Sequence, residues 1–289
     1  MKDITRDIAQ EIIESKEIEK FDEYLEICDE FNPEIFSILF KMKEIETIEA
    51  IYKRNRTEEI KKLIFNSVII FCYSFSASKS VFKSLRMILN DGSNEFLSLN
   101  DDEDIYRISQ FDGNLELFEI LSEFNIKVEW AYALQFSCEA LIKETVMFLC
   151  QNHTFSQEDI DLAFHSIICS SIIGSKNHEL QAELISYFIK EMNADINQEA
   201  SHEWDYLFLE CFQNSPDSAY IFYKDNFNTK IFETEDFWEN LIEEHLESNE
   251  KNEYKKAFKD LKNSGLDISF IESVFAKENK TALFEELTK

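Results

Sequence analysis

The stretch Asp104–Val128, DIYRISQFDGNLELFEILSEFNIKV, contains a complete helix–turn–helix pattern. Apolar residues recur three apart along its first half, at Ile105, Ile108 and Phe111. After the turn Asp112-Gly113-Asn114 the helical spacing resumes, at Leu115, Phe118, Leu121 and Phe124. Neither helix is long enough to be stable alone in water, and each carries an apolar stripe that a neighbour must cover. The stretch therefore predicts one unit of a stacked array.

The composition of the whole chain favours helices throughout. Its 289 residues include four Gly and two Pro, far fewer than the average usage of about 7% and 5% would give. This scarcity disfavours tight hairpin turns, and with them a β-barrel or Greek-key architecture. The hydrophobic content of 44% is enough for a substantial core. We therefore predict an all-α chain.

The same design recurs along the chain and predicts eight helix pairs. The predicted ranges are 4–13 with 18–28, 33–40 with 45–52, 58–73 with 81–89, 104–124, 131–141 with 144–150, 159–173 with 179–192, 204–212 with 218–223, and 236–246 with 254–261. We predict a repeat array over residues 33–265. Residues 1–32 are expected to form an N-terminal helical cap or first repeat, and residues 266–289 a C-terminal helical cap.

Asparagine supports this periodicity, because it tolerates the left-handed conformation needed just after a helix C-terminus. One Asn follows the second helix of each predicted pair, at Asn32, Asn55, Asn90, Asn125, Asn152, Asn193, Asn226 and Asn263. The seven spacings range from 23 to 41 residues and average 33. A period near 33 built from two helices and a loop is typical of ankyrin repeats.

Two segments resemble the ankyrin family directly. Residues 111–121, FDGNLELFEIL, resemble its Gly-Asn turn followed by Leu-Glu and an apolar second helix, and residues 192–197, MNADIN, resemble its Gly-Ala-Asp-Ile-Asn stretch with Asn193 in place of Gly. The Thr-Pro-Leu-His signature is absent, and most units lack the turn glycine. The resemblance implies a solenoid of divergent ankyrin-like repeats that serves as an interaction module without catalysis. A tetratricopeptide-like or irregular helical solenoid is the alternative fold.

The charge of the chain is concentrated in its middle. Residues 91–250 carry 34 acidic and 7 basic side chains, whereas residues 1–90 carry 17 and 14 and residues 251–289 carry 7 and 8. Such a one-signed field accelerates encounter with a basic protein and repels nucleic acid. The candidate partner-binding residues are the acidic cluster Asp101, Asp102, Glu103 and Asp104, with Trp130, Trp204 and Trp238 near the starts of three units. A solvated acidic face and packing of the tryptophans in the core are the alternatives.

These features predict a non-catalytic scaffold that binds a protein partner with a basic surface. The alternative is an acidic decoy that mimics nucleic acid and occupies a basic nucleic-acid-binding protein. The third class, an enzyme whose site assembles from scattered residues, has no motif to support it. The four glycines stand alone, so no phosphate-binding loop is expected, and no G-x-S-x-G segment occurs. We predict no cofactor.

The six cysteines include no C-x-x-C pair, and no basic-then-apolar signal precedes Ile4. We therefore expect reduced thiols, a cytoplasmic location and no membrane segment. One group has spacing suited to tetrahedral zinc: Cys150, His153, His165 and Cys169, in the pattern C-x2-H, eleven residues, H-x3-C. Both cysteines lie in apolar runs, where free Cys commonly serves as a small core residue. We therefore predict no metal site.

Overall fold

The structure is a computed structural model, and it describes residues 2–15, 17–21, 34–73, 79–170, 178–198, 206–223, 227–246 and 251–289. These residues are mostly helical, with one pair of two-residue strands. This confirms the prediction of an all-helical chain. No helix in the described ranges has both the length and the apolar character needed to cross a bilayer.

The chain divides into two compact units. The first unit contains residues 1–134 and 144–153, and the second contains residues 135–143 and 154–289. Two helices, α8 (Trp130–Glu139) and α9 (Lys143–Asn152), contribute residues to both units. The expected domain limits at residues 32 and 265 remain predictions.

The other helices of the first unit are short and follow one another closely. They are α1 (Lys2–Ser15), α2 (Glu34–Lys41), α3 (Ile45–Arg54), α4 (Glu58–Cys72), α5 (Lys79–Leu89), α6 (Asp102–Ser109) and α7 (Leu115–Glu123). The 3-10 turn Asp112–Asn114 joins α6 to α7. Strands β1 (Ser98–Leu99) and β2 (Lys127–Val128) pair in parallel, with Ser98 opposite Lys127.

Contacts in the first unit follow a regular order. Within pairs, α2 packs on α3 and α4 packs on α5. Between pairs, α2 packs on α4 and α4 on α6, while α3 packs on α5 and α5 on α7. Each helix from α2 to α5 therefore contacts its own partner and the corresponding helix of the next pair.

The second unit is built from α10 (Gln157–Ile168), α11 (His178–Lys190), α12 (Leu207–Asn214), α13 (Glu235–Leu241), α14 (Lys251–Asn263), α15 (Ser269–Lys277) and α16 (Thr281–Leu287). A single π-turn, Ile242–Leu246, continues α13. Two 3-10 segments, Pro216–Phe222 and Thr229–Glu233, lie between α12 and α13. The first 3-10 segment packs against α11, α12 and α14.

Buried aromatic rings hold the second unit together, which gives the abundant phenylalanines a structural role. Phe212 lies edge-on to Phe258 at 5.2 Å and to Trp238 at 5.4 Å between ring centroids. Phe208 contacts Phe222 at 5.7 Å. Such pairs stabilise by about 0.5–1.5 kcal/mol each beyond the burial of their area.

Helix limits agree with the predictions in some places and differ in others. The helices predicted at 58–73 and 81–89 appear as α4 and α5. The helix predicted at 218–223 is instead the 3-10 segment, because Pro216 fixes its start and Ser218 donates from its backbone N–H to the Ser215 carbonyl three residues back. The predicted C-terminal cap consists of two helices, α15 and α16. The predicted helix at 18–28 falls largely outside the described residues.

The expected role of asparagine at helix ends is correct at two of the six positions that the structure describes. Asn125 (φ 53°) and Asn193 (φ 58°) are left-handed, whereas Asn55 has φ −122° and Asn152 and Asn263 lie within helices. Asn90 is not left-handed, and Asn32 and Asn226 lie outside the described residues. Other left-handed positions are Lys43, Gly92, Leu141, Gly265 and Asn279. At Leu141 the conformation is held by two bonds, from its own N–H to the Cys138 carbonyl and from the Ile142 N–H to the Ser137 carbonyl, which offset the cost of a non-glycine residue there.

Polar bonds connect residues about one helix pair apart. Their separations range from 30 to 42 residues: Lys61 Nζ to the Asp91 and Ser93 carbonyls, Asn114 Nδ2 to the Cys72 carbonyl, the Asp195 N–H to Asp161 Oδ1, and the Asn228 N–H to Asn197 Oδ1. Each bond satisfies a loop or helix-end group that the short helices leave open.

Asn114 provides a test of these bonds. Its buried side chain donates to the Cys72 carbonyl at 3.1 Å and to the Ile108 carbonyl at 2.8 Å. We expect Asn114→Ala to lower the free energy of unfolding by about 2–3 kcal/mol, because both carbonyls lose their donor. Urea denaturation measures the change. Asn90→Ala is the control, since this exposed side chain donates only to the Arg86 carbonyl, and it is expected to cost less than about 0.5 kcal/mol. Equal losses in the two variants would contradict this account.

Candidate functional site

The structure gives most of the acidic cluster Asp101–Asp104 an internal role. Asp101 caps α6 by accepting bonds from the Glu103 and Asp104 N–H groups. Glu103 pairs with Arg107 one turn later, and Asp104 accepts a hydrogen bond from the Tyr73 hydroxyl. Asp102 is exposed and has no ion-pair partner among the described residues. Of the four, Asp102 is therefore the side chain most available to a partner.

The three tryptophans differ in their surroundings. Trp238 is fully buried, and its Nε1–H donates to the Phe232 carbonyl at 2.8 Å. The expectation that Trp238 lines a partner surface is therefore wrong, because the aromatic core of the second unit encloses the ring. Trp204 lies outside the described residues. Trp130 is half-buried in the first unit.

Trp130 forms one wall of a shallow pocket in the first unit. Its ring stacks on the His153 imidazole, with centroids 3.9 Å apart and planes 25° apart. The pocket measures about 310 Å³ and is also lined by Ser122, Asn125, Ile126 and Asn152. His153 Nε2 is buried and has no hydrogen-bond partner among the described residues, and burial lowers the pKa of this imidazole. His153 therefore packs as a neutral aromatic ring.

Acidic side chains elsewhere on the first unit include some that are exposed and form no ion pair with a described residue. Glu119 and Glu129 are exposed like Asp102, and within the described residues none of the three forms an ion pair. Large exposed apolar side chains occur in the same part of the chain, at Tyr106, Phe111 and Tyr132. Exposed carboxylates combined with aromatic rings suit recognition of a cationic protein surface.

The four residues with zinc-compatible spacing do not form one group within either unit. Cys150 and His153 belong to the first unit, and His165 and Cys169 belong to the second. His165 and Cys169 lie one turn apart at the end of α10, and they meet Glu210 of α12. The third member of the group that His165 and Cys169 form is therefore the Glu210 carboxylate, which comes 41 residues after Cys169 in the chain.

The His165–Cys169–Glu210 cluster is compact, with His165 and Glu210 buried and Cys169 half-buried. The Cys169 thiol donates to Glu210 Oε2 at 2.7 Å, and His165 Nε2 lies 3.6 Å from both Cys169 Sγ and Glu210 Oε2. Glu210 is 3% exposed, and its second carboxylate oxygen, Oε1, is buried with no hydrogen-bond partner in the described part of the chain. Burial and the Glu210 carboxylate raise the pKa of the Cys169 thiol, so in this arrangement the sulfur is protonated.

Sequence reasoning missed Glu210, although the sequence contains a signal for it. Glu210 is the single charged residue in the run Leu207-Phe208-Leu209-Glu210-Cys211-Phe212, whose other members are all buried. A carboxylate in such a run must find a partner, since burying an unpaired charge is costly. The partner lies on another helix and cannot be identified from local spacing.

Comparisons with protein-family models, curated proteins and solved structures give no match for this chain.

The half-buried imidazole of His153 predicts a pH effect. Because burial lowers its pKa, the unfolded chain takes up a proton at His153 more readily than the folded chain does. The stability that depends on neutral His153 is present above the unfolded pKa of about 6.5, and it is lost as the pH falls below that value. We expect the stability of the wild-type chain relative to His153→Gln to decrease between about pH 7.5 and pH 5. Chemical denaturation of both proteins across this range measures the difference, and a constant difference would contradict the expectation.

Proposed function

We propose that this chain is a non-catalytic, ankyrin-like helical-repeat scaffold that binds a protein partner with a basic surface. The order of contacts in the first unit supports the repeat architecture, because corresponding helices of successive pairs pack on one another. The polar bonds that connect residues 30–42 apart also fit a repeat of about one helix pair. Repeat scaffolds of this kind present an extended surface to their partners.

The observation that carries the binding proposal is the set of exposed, unpaired carboxylates on the first unit. Asp102, Glu119 and Glu129 have no counter-ion among the described residues, so their charge is available to an incoming protein. In residues 91–250 the chain supplies 7 basic side chains for 34 acidic ones, too few to neutralise the segment. Uncompensated charge of one sign increases the association rate with an oppositely charged partner.

We also propose that binding takes place in the cytoplasm. Among the described residues, Cys72, Cys169 and Cys211 are free thiols, which fits a reducing compartment.

A charge-reversal experiment tests the binding proposal. One variant carries Asp102→Lys, Glu119→Lys and Glu129→Lys, and a control with the same change in net charge carries Glu46→Lys, Glu59→Lys and Glu272→Lys at exposed positions in the flanking segments. Partners captured from native cells by the wild-type chain are identified by mass spectrometry, purified and used for kinetics. We expect the first variant to associate about tenfold more slowly or worse at low salt, with a smaller effect in the control. Circular dichroism verifies that both variants keep their helices.

Salt and nucleic acid distinguish the remaining outcomes. The wild-type association rate is expected to fall steeply with salt, because exposed charges are screened within about 8 Å at physiological ionic strength. Equal rates for the two variants, or a rate indifferent to salt, would reject the proposal and leave a solvated acidic face. A captured partner that duplex DNA displaces from this chain would favour the nucleic-acid decoy.

A further inference from the structure

We propose that His165, Cys169 and Glu210 form a binding site for a divalent transition metal, with Zn²⁺ as the best-fitting ion. The inference reverses the expectation from sequence that the cysteines bind no metal. It is independent of partner binding, because it concerns buried residues of the second unit.

Helix geometry places the three donors together. Cys169 comes four positions after His165, so the two side chains project from the same face of α10. The Cys169 N–H donates to the His165 carbonyl and continues the helical bonding to the cysteine. Glu210 lies on α12, which packs against α10. Two elements of regular structure therefore hold the donors, which is the rigid support a metal site needs.

The distances between donor atoms approach those of a zinc site. With Zn–S near 2.3 Å and Zn–N or Zn–O near 2.0 Å, tetrahedral zinc separates its donors by about 3.3–3.5 Å. The distances from His165 Nε2 to the sulfur and to the carboxylate oxygen are both 3.6 Å. The Sγ–Oε2 distance of 2.7 Å has to widen by about 0.8 Å, which rotation of the carboxylate permits because this torsion is soft.

Besides the donor distances, an unsatisfied oxygen of the Glu210 carboxylate supports a metal at this site. Its Oε1 atom is buried without a hydrogen-bond partner among the described residues, and the residue is 3% exposed. A buried carboxylate whose partners in the described part of the chain are a thiol and an imidazole carries a large desolvation cost. A divalent cation between the three side chains supplies the missing positive charge and accepts both Glu210 and the sulfur as ligands.

The chemistry of the donors selects the ion. Thiolate and imidazole favour zinc and related transition metals over magnesium and calcium, which prefer oxygen ligands alone. The described residues supply three protein donors, and tetrahedral zinc takes a fourth. We assign the fourth position to a water molecule or an exchangeable ligand. Binding converts the Cys169 thiol to a thiolate, so one proton leaves as the metal–sulfur bond forms.

Metal titration of the full chain tests the site. The protein is stripped with a chelator under reducing conditions and titrated with Zn²⁺ against a chromophoric competitor, and with Co²⁺ while its absorption spectrum is recorded. We expect one equivalent of tightly bound metal and a thiolate-to-cobalt charge-transfer band. Cys169→Ser is expected to abolish the band, and Glu210→Gln and His165→Gln are each expected to weaken Zn²⁺ binding at least about tenfold, since loss of even an outer partner of a ligand costs that much.

Two control variants locate the metal. Cys211→Ser changes a buried cysteine adjacent to Glu210 on α12, and Cys150→Ser changes the cysteine of the first unit that has zinc-compatible spacing. Both are expected to keep wild-type affinity and the cobalt band. Circular dichroism of each metal-free variant establishes that it is folded before titration.

Any of three results would overturn the inference. The first is no stoichiometric binding by the folded wild-type chain, which would leave the three residues as a histidine–carboxylate pair with a bonded thiol. The second is binding that survives in both Cys169→Ser and Glu210→Gln, which would place the metal elsewhere. Loss of binding in Cys150→Ser together with an unchanged Cys169→Ser variant would overturn it in the same way.

Discussion

Burial of apolar faces between neighbouring helices is the constraint on which this structure depends. The helices among the described residues contain 7 to 15 residues, and isolated helices of this length are marginal in water at best. In α7, which has nine residues, Leu117, Phe118, Ile120 and Leu121 are all completely buried. A helix that buries so many of its side chains requires neighbours on more than one side. For α7 these neighbours include the 3-10 turn Asp112–Asn114 and α5 of the preceding pair.

Short helices also leave many backbone N–H and C=O groups at their ends without hydrogen-bond partners. Capping residues and polar side chains supply these partners. Thr57 and Ser156 cap α4 and α10, and Ser156 forms a reciprocal capping box with Asp159. Other bonds extend to the next pair, as those of Asn114 and Lys61 do. Polar groups therefore determine where each helix ends and how successive pairs align, while apolar burial supplies most of the stability.

The two proposals use different physical properties of acidic side chains. Asp102, Glu119 and Glu129 are exposed, so water and salt screen their charge and their effect is on the rate of encounter. Glu210 is enclosed, so its charge acts at short range in a medium where an unsatisfied oxygen is costly. With 58 acidic residues in the chain, the number of charges does not distinguish these roles, but burial does.

The sequence by itself determined the helical class, the approximate limits of helices such as α4 and α5, and the acidic middle segment. Each of these follows from properties that can be read along the chain, namely apolar periodicity, the scarcity of glycine and proline, and charge. The tertiary structure alone decided that Trp238 is enclosed, that Asp104 accepts a bond from Tyr73, and that Glu210 joins His165 and Cys169. These outcomes depend on partners 31 to 45 residues away for the carboxylates and on a surrounding aromatic core for the tryptophan. Such neighbours are set by how the helices pack, which the spacing of residues along one helix does not specify.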